Sequence, residues 1–147
     1  LTSFCPDSII IRTAWLYSEF GHTFVDTMLR LGREGKPLKI VSDQIGTPTY
    51  SGDLASAIHT IITQTEWKAG IYHYTNEGVA SWYDFAMAIF RLSGLTPDVT
   101  PVGTRDYPTP AKRPLYSVLS KDKIKKTFQI KIPYWENSLK KCLNSMK

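Results

Sequence analysis

The chain lacks every compact signature of a self-contained catalyst. It has no G-x-G-x-x-G loop and no P-loop; Gly32 and Gly35 come nearest, and no third glycine follows at the required spacing. No tyrosine has a lysine four residues later, and no G-x-S-x-G elbow is present. These absences exclude an independent dinucleotide cradle and a serine-hydrolase elbow, and no catalytic residue is expected within the chain. His22, His59 and His73 are scattered, with His59 in a helical pattern and His73 in a strand pattern, so no metal site is expected. The only two cysteines, Cys5 and Cys142, lie far apart, which favours two free, partly buried thiols in a reducing compartment. No apolar run approaches the ~20 residues of a membrane span. The first residues, Leu1 to Pro6, have no basic start leading into a long apolar stretch. The expectation is a cytoplasmic protein with no membrane partner.

What is present reads as one globular unit over residues 1–147, with 42% hydrophobic residues to build a core. The formal charge of +5 is unevenly placed: from Lys121 to Lys147 eight lysines face only Asp122 and Glu136. Such a tail could attract nucleic acid or anionic lipid. It contains no arginine, however, and its apolar residues keep helical spacing, which favours solvated lysine faces on packed helices and no nucleic-acid partner.

The hydrophobic pattern alternates between strand and helix. Ser8 to Thr13 is a β-branched run expected as a strand buried on both faces. Thr23 and Asp26 form a capping-box variant ahead of an apolar stripe of Phe24, Met28 and Leu31, which Gly35 and Pro37 end. Leu38 to Val41 reads as a short strand. Asp53 opens a helix with Leu54, Ala57, Ile58, Ile61 and Ile62 on one stripe. Gly70 to Thr75 is another strand, and Ser81 caps a helix with Trp82, Phe85, Ala86 and Ile89 on one side. A short helix from Ser120 to about Phe128 and a last one carrying Trp135, Leu139, Leu143 and Met146 complete the pattern. Strands alternating with helices indicate an α/β fold, with fewer strands than an independent doubly wound domain has.

Four segments look site-like. The most informative is Tyr107-Pro108-Thr109-Pro110-Ala111-Lys112-Arg113-Pro114, whose three prolines exclude a helix or central strand and hold an extended arm. Arg113 sits at a fixed place on it, and a preorganised guanidinium grips phosphate or carboxylate; the bland alternative is a rigid loop with a solvated arginine. Arg12-Thr13-Ala14-Trp15-Leu16-Tyr17 lies at the carboxyl end of a strand, where open α/β sheets bind ligands, and Trp15 suits packing on a ring or a place in the core. Gly21-His22-Thr23-Phe24 precedes a helix N-terminus, a weak anion signal. Asp43-Gln44-Ile45-Gly46-Thr47-Pro48-Thr49-Tyr50 reads chiefly as a turn held by Asp43, Gln44 and Thr49.

Taken in order, these segments resemble the carboxyl-terminal half of the dTDP-4-dehydrorhamnose reductases, a family of extended short-chain dehydrogenase/reductases. The resemblance runs from Ile9 to Met146. It rests on Arg12 to Tyr17, Asp43-Gln44-x-Gly46-x-Pro48-Thr49, Asp53-Leu54-Ala55, Gly70-Ile71-Tyr72-His73, and Tyr107-Pro108-Thr109-Pro110-Ala111-x-Arg113-Pro114 with Ser117 and Leu119. The resemblance implies a substrate-binding lobe plus the last strands and helices of a Rossmann-like domain, part of a larger NAD(P)-binding fold. It implies reduction of dTDP-4-dehydro-L-rhamnose to dTDP-L-rhamnose with NADPH (or NADH) by the full-length enzyme. The glycine-rich loop and Tyr-x-x-x-Lys pair would belong to an amino-terminal half not present here, so this chain is expected to be inactive alone and to hold no cofactor tightly. By the same resemblance Trp15 contacts the deoxysugar with Tyr17 beside it. Thr13 and Ala14 lie near the nicotinamide. Phe24 and Arg113 fall where related enzymes hold the nucleotide and diphosphate. The chain departs from many relatives in having Thr23 and Tyr116 where they carry Asn. Gly52 stands where some carry a magnesium-binding carboxylate, so no metal is carried over. A related epimerase or dehydratase lobe is the alternative enzyme reading, and a basic nucleic-acid-binding module is a distant one. The expected partners are a dTDP-sugar, the other half of the same protein, and further copies of the chain through exposed strands.

Overall fold

The computed structural model describes residues 4–146. In chain order the elements are β1 (Ile9–Arg12), β2 (Leu16–Tyr17), α1 (Phe24–Glu34), β3 (Leu38–Val41), β4 (Ile45–Gly46), β5 (Thr49–Tyr50) and α2 (Ser51–Ile62). They continue with β6 (Gly70–His73), β7 (Ala80–Ser81), α3 (Trp82–Leu92), β8 (Val99–Val102), α4 (Asp122–Phe128) and α5 (Trp135–Ser145), with a 3-10 turn at Thr104–Asp106. The fold is α/β.

Local chemistry sets the helix ends. The Asp26 carboxylate accepts from the Thr23 backbone N–H at 2.9 Å and from its hydroxyl at 2.8 Å, which fixes the start of α1. Gly35, at φ 68, ends it in the left-handed region that favours glycine. Ahead of α3 the box closes both ways: Asp84 N–H donates to Ser81 Oγ, and Ser81 N–H donates to the Asp84 carboxylate. Such a cap contributes about 1 kcal/mol. Two starts differ from expectation by a turn or less: α2 opens at Ser51 rather than Asp53, and α4 at Asp122 rather than Ser120.

Four two-stranded pairings organise the chain. β1 runs parallel to β6, β2 to β5, and β3 to β8; β4 pairs antiparallel with β7. β8 is the one four-residue strand that the sequence pattern does not announce, because Pro101 argues against a central strand. It is an edge strand: among the described residues its partner is β3 alone, and Pro101 sits opposite Ile40. The expectation that Ser8 to Thr13 is buried on both faces is corrected. Ile9, Ile10 and Ile11 are half-buried and Arg12 is exposed, because β6 is β1's only strand neighbour among the described residues.

The larger core lies where α1, α3 and α5 meet, with Val25, Phe85, Ile89, Phe90, Leu139 and Cys142 almost fully buried and Tyr17 and Tyr50 joining from β2 and β5. Truncating Phe85 to alanine there costs about 3–5 kcal/mol. Burial also pushes the Cys142 thiol up to about 12, so it is inert at neutral pH. Cys5, in contrast, is exposed rather than partly buried.

A smaller core of Ala57, Ile61, Tyr72, Tyr74, Ile124 and Phe128 sits beneath β6. The α2 stripe is split by it. Ala57 and Ile61 are buried, but Ile58 and Ile62 face outward because no described element covers that side. The lysine tail is not wholly solvated either. Lys121 is 8% exposed and sits 3.5 Å from Glu77, whose other oxygen accepts from Lys125 at 2.8 Å.

Candidate functional site

An open cleft of about 650 Å³ lies between the end of β1, the start of α1, β3, the start of α3 and the proline-rich arm. Ala14, Trp15, Phe24, Met28, Ile40, Val41 and Trp82 supply its aromatic and aliphatic lining. Lys39, Gln44, Tyr107, Thr109, Arg113 and Ser117 supply the polar groups.

The arm is held at both ends by the turn that follows β3. At its start, both carboxylate oxygens of Asp43 accept from the Thr104 N–H at 2.9 Å, and one accepts from the Thr104 hydroxyl at 2.6 Å. Those hydrogen bonds hold the Asp43 carboxyl below its ordinary range. Gln44 Nε2 adds a bond to Thr104 Oγ1 at 3.2 Å. At the far end, Ile45 N–H donates to the Leu115 carbonyl and Ser117 N–H donates to the Ile45 carbonyl, each at 2.8 Å. Between these anchors the prolines limit the backbone, and every residue from Tyr107 to Pro114 is exposed. The turn at Asp43 to Tyr50 therefore has the structural role its residues suggest, and it also sets the position of Arg113.

The cleft carries two cations and no carboxylate in its lining. Among the described residues the side chains of Arg113 and Lys39 make no hydrogen bond or salt bridge, as holds for other exposed cations such as Arg12 and Lys112; what sets these two apart is that both line one concave space. A guanidinium and an ammonium facing a concave space without a counter-ion can take an anionic ligand with little competition from the protein itself.

The aromatic wall is continuous with the core. Trp15 stacks on Trp82 with ring centroids 3.7 Å apart and planes 13° apart. Trp82 meets Phe24 at 4.8 Å, Phe24 stacks on Phe85 at 5.5 Å, and Phe85 meets Tyr17 at 5.2 Å. Pocket wall and interior thus share one aromatic column, in which each neighbour fixes the next. Trp15 itself has φ 50, in the left-handed region that a tryptophan rarely adopts.

Of the six residues singled out by sequence, four meet at the cleft: Ala14, Trp15, Phe24 and Arg113. Tyr17 does not. It is 1% exposed, packed against Tyr50 and Phe85, and its hydroxyl has no hydrogen-bond partner. Strand alternation is the reason: in β2 Leu16 points outward, so Tyr17 points into the core. Burial raises the Tyr17 phenol above its ordinary value. The neighbouring Tyr50 phenol, donating to Glu19 at 2.9 Å, is pushed up to about 12, first by burial and then by that carboxylate. Thr13 is exposed and outside the cleft lining. The chain has no glycine-rich turn, and the start of α1 is already capped by Asp26, so these residues alone do not form a dinucleotide cradle.

Trp82, Lys39 and Gln44 line the cleft and were not singled out as site residues. Trp82 falls on the apolar stripe of α3 and reads as core. Lys39 could have been found from β3, where Leu38 and Ile40 turn inward and the residue between them must turn out.

Outside the cleft lining, the polar groups around Asp53 are engaged with one another. Asn76, fully buried, accepts from Tyr50 N–H at 2.8 Å and donates to Asp53 Oδ2 at 2.8 Å and to Ser138 Oγ at 2.9 Å. Ser138 also donates to Asp53, and Lys141 lies 3.6 Å from the other Asp53 oxygen. A smaller cleft of about 340 Å³ beside Asp53 and Tyr74 therefore abuts a carboxylate that already has its partners.

Fold and cleft together define an α/β lobe with one open, cation-bearing, aromatic-walled pocket. The chain belongs to the RmlD substrate binding domain family, whose model matches residues 1–147. It is 46% identical over 150 residues to a dTDP-4-dehydrorhamnose reductase of Aggregatibacter actinomycetemcomitans, covering 95% of this chain and 51% of that protein. Its structure is similar to that of a dTDP-4-dehydrorhamnose reductase from Clostridium acetobutylicum, with a TM-score of 0.92 and 43% identity over 99% of this chain and 51% of the other. A Bacillus anthracis dTDP-4-dehydrorhamnose reductase in complex with NADP gives a TM-score of 0.88 and 37% identity over 93% and 48%. The chain thus spans about half the length of the relatives it matches.

Proposed function

We propose that this chain is the substrate-binding portion of a dTDP-4-dehydrorhamnose reductase, and that the longer protein reduces dTDP-4-dehydro-L-rhamnose to dTDP-L-rhamnose with NADPH in the cytoplasm. The observation that carries the proposal is the cleft lining: the aromatic side chains Trp15, Phe24 and Trp82, together with two unpaired cations and no carboxylate. In this reading Arg113 and Lys39 hold the diphosphate, and Phe24 and Trp82 flank the nucleotide. Trp15 packs on the deoxysugar. Thr13 and Ala14, beyond the carboxyl end of β1, border the nicotinamide and contribute backbone rather than reactive groups. Hydride chemistry is supplied by the cofactor and by residues this chain does not contain; its own residues bind and orient the sugar nucleotide. Two free thiols, Cys5 and Cys142, accord with a reducing compartment.

The partner that completes the enzyme is the remaining half of the same protein, docking along the open edge of β1 and the outward face of Ile58, Ile62 and Ile71. Without it, copies of this chain pair through that edge, and the apparent mass by light scattering rises with concentration. A monomer at every concentration would contradict this.

The test of the functional reading is equilibrium binding of dTDP-L-rhamnose against UDP-hexoses. The proposal expects preference for the thymidine nucleotide. Equal or stronger binding of a UDP-hexose would favour an epimerase or dehydratase lobe instead.

A further inference from the structure

Two residues of the Asp43 to Tyr50 turn stand against Trp15, and neither belongs to the cleft lining. Thr49, fully buried, donates its hydroxyl to the Ala14 carbonyl at 2.7 Å and its backbone N–H to the Trp15 carbonyl at 3.0 Å. These two carbonyls belong to the peptide planes on either side of the Trp15 Cα. Fixing both planes fixes φ and ψ of the residue between them. That residue sits at φ 50, a conformation that is strained for an L side chain. Gly46 completes the arrangement. A Cβ there would lie 2.6 Å from Trp15 Cε2 and 2.7 Å from Cζ2, so the indole rests on backbone that only glycine leaves bare. Its opposite constraint is Trp82, stacked at 3.7 Å.

We infer that Thr49 and Gly46 are positioning residues for Trp15: Thr49 locks its left-handed backbone by gripping both flanking carbonyls, and Gly46 leaves room for the indole to stack on Trp82. Neither reaches the ligand. The inference deepens the sugar-nucleotide reading above and rests on it only for the binding consequence, since the geometry itself is measurable without ligand.

A stacked indole pair gives an exciton couplet in the far-ultraviolet circular dichroism, assigned here by its loss in Trp15→Phe and in Trp82→Phe. Thr49→Val keeps shape and removes the hydroxyl; it is expected to lose more than half of the couplet while unfolding as cooperatively as the parent. Thr49→Ser keeps the hydroxyl and the couplet. Gly46→Ala is expected to reduce the couplet by pushing the indole aside, and it decides the matter alone if Thr49→Val does not fold. Affinity for dTDP-L-rhamnose should fall about tenfold in Thr49→Val and within twofold in Thr49→Ser, because small displacements of a contact group are costly. A full couplet in folded Thr49→Val and Gly46→Ala, or no couplet in the parent, would overturn the inference. If the couplet responds as expected but the parent shows no affinity for the dTDP-sugar, the ligand assignment fails and the positioning role stands.

Discussion

Two regions of this lobe carry charged side chains and use them in opposite ways. Around Asp53, Asn76, Ser138 and Glu77 each charge or amide finds its partner within the chain, across α2, α4, α5 and the segment after β6. In the large cleft Arg113 and Lys39 face open space with no partner among the described residues. Buried groups that satisfy one another hold a fold; cations left free at a concave aromatic wall are available to an anion. Charge content alone does not separate these cases; pairing together with a concave setting does.

The comparison can be broken from either side. The largest effect is expected at Asn76→Ala, which strips a hydrogen bond from the buried Asp53 carboxylate and leaves the Tyr50 N–H without its acceptor. Unfolding by denaturant should show a loss of about 3–5 kcal/mol; a loss below ~1 kcal/mol would mean that the network is not what ties α5 to the rest.

Next is Glu77→Gln, which leaves Lys121 buried beside a neutral partner; about 2–3 kcal/mol should be lost at neutral pH. Burial pushes the Glu77 carboxyl up, but Lys125 and Lys121 outweigh it and hold the group below its ordinary value. A depressed folded value means the stabilisation is present above the ordinary value of ~4.3 and fades as pH falls through the folded one. The gap between parent and variant should therefore close on acidification below about pH 4. A gap that widens there would reverse the assignment.

On the cleft side the expected signature is inverted. Arg113→Ala should leave the unfolding midpoint essentially unchanged, because the side chain is exposed and unpaired, yet weaken dTDP-L-rhamnose binding about 10- to 100-fold by calorimetry. A marked loss of stability with intact binding would make the arm structural. The smallest effect belongs to Lys39→Ala, an exposed ammonium worth about 0.5–1 kcal/mol, seen as a few-fold loss of affinity that shrinks with added salt.

How much of this was legible in the sequence follows from the range of the interactions. Local signals survive intact: the Thr23–Asp26 box, the Ser81 cap and the Gly35 stop depend on groups within three or four residues. The two-residue strands β2, β4, β5 and β7 exist only because distant partners pair with them, so no period marks them. β8 was hidden by Pro101, which an edge tolerates. Of the residues that line the cleft, Trp15 and Arg113 lie within the ordered motifs, and Phe24 was marked by its place at a helix start. Tyr17 was drawn in by its nearness to Trp15 in sequence, although strand alternation sends it the other way. Trp82 was missed because a helical stripe looks the same whether it meets the core or the wall of a cleft. Lys121 illustrates the converse: a lysine in a basic tail reads as solvated until Glu77, 44 positions earlier, is seen beside it.

The central claim is that the unpaired cations and aromatic wall of the large cleft receive a dTDP-sugar. A nuclear magnetic resonance titration of this chain with dTDP-L-rhamnose tests it most directly, through the indole Nε1–H signals of Trp15 and Trp82 and the guanidinium Nε–H of Arg113. Saturable shifts are expected at these three groups, with the lysine-rich residues beyond Lys121 unmoved and the response abolished or weakened in Arg113→Ala. Shifts gathered on the lysine tail, or identical responses from the parent and Arg113→Ala, would contradict it.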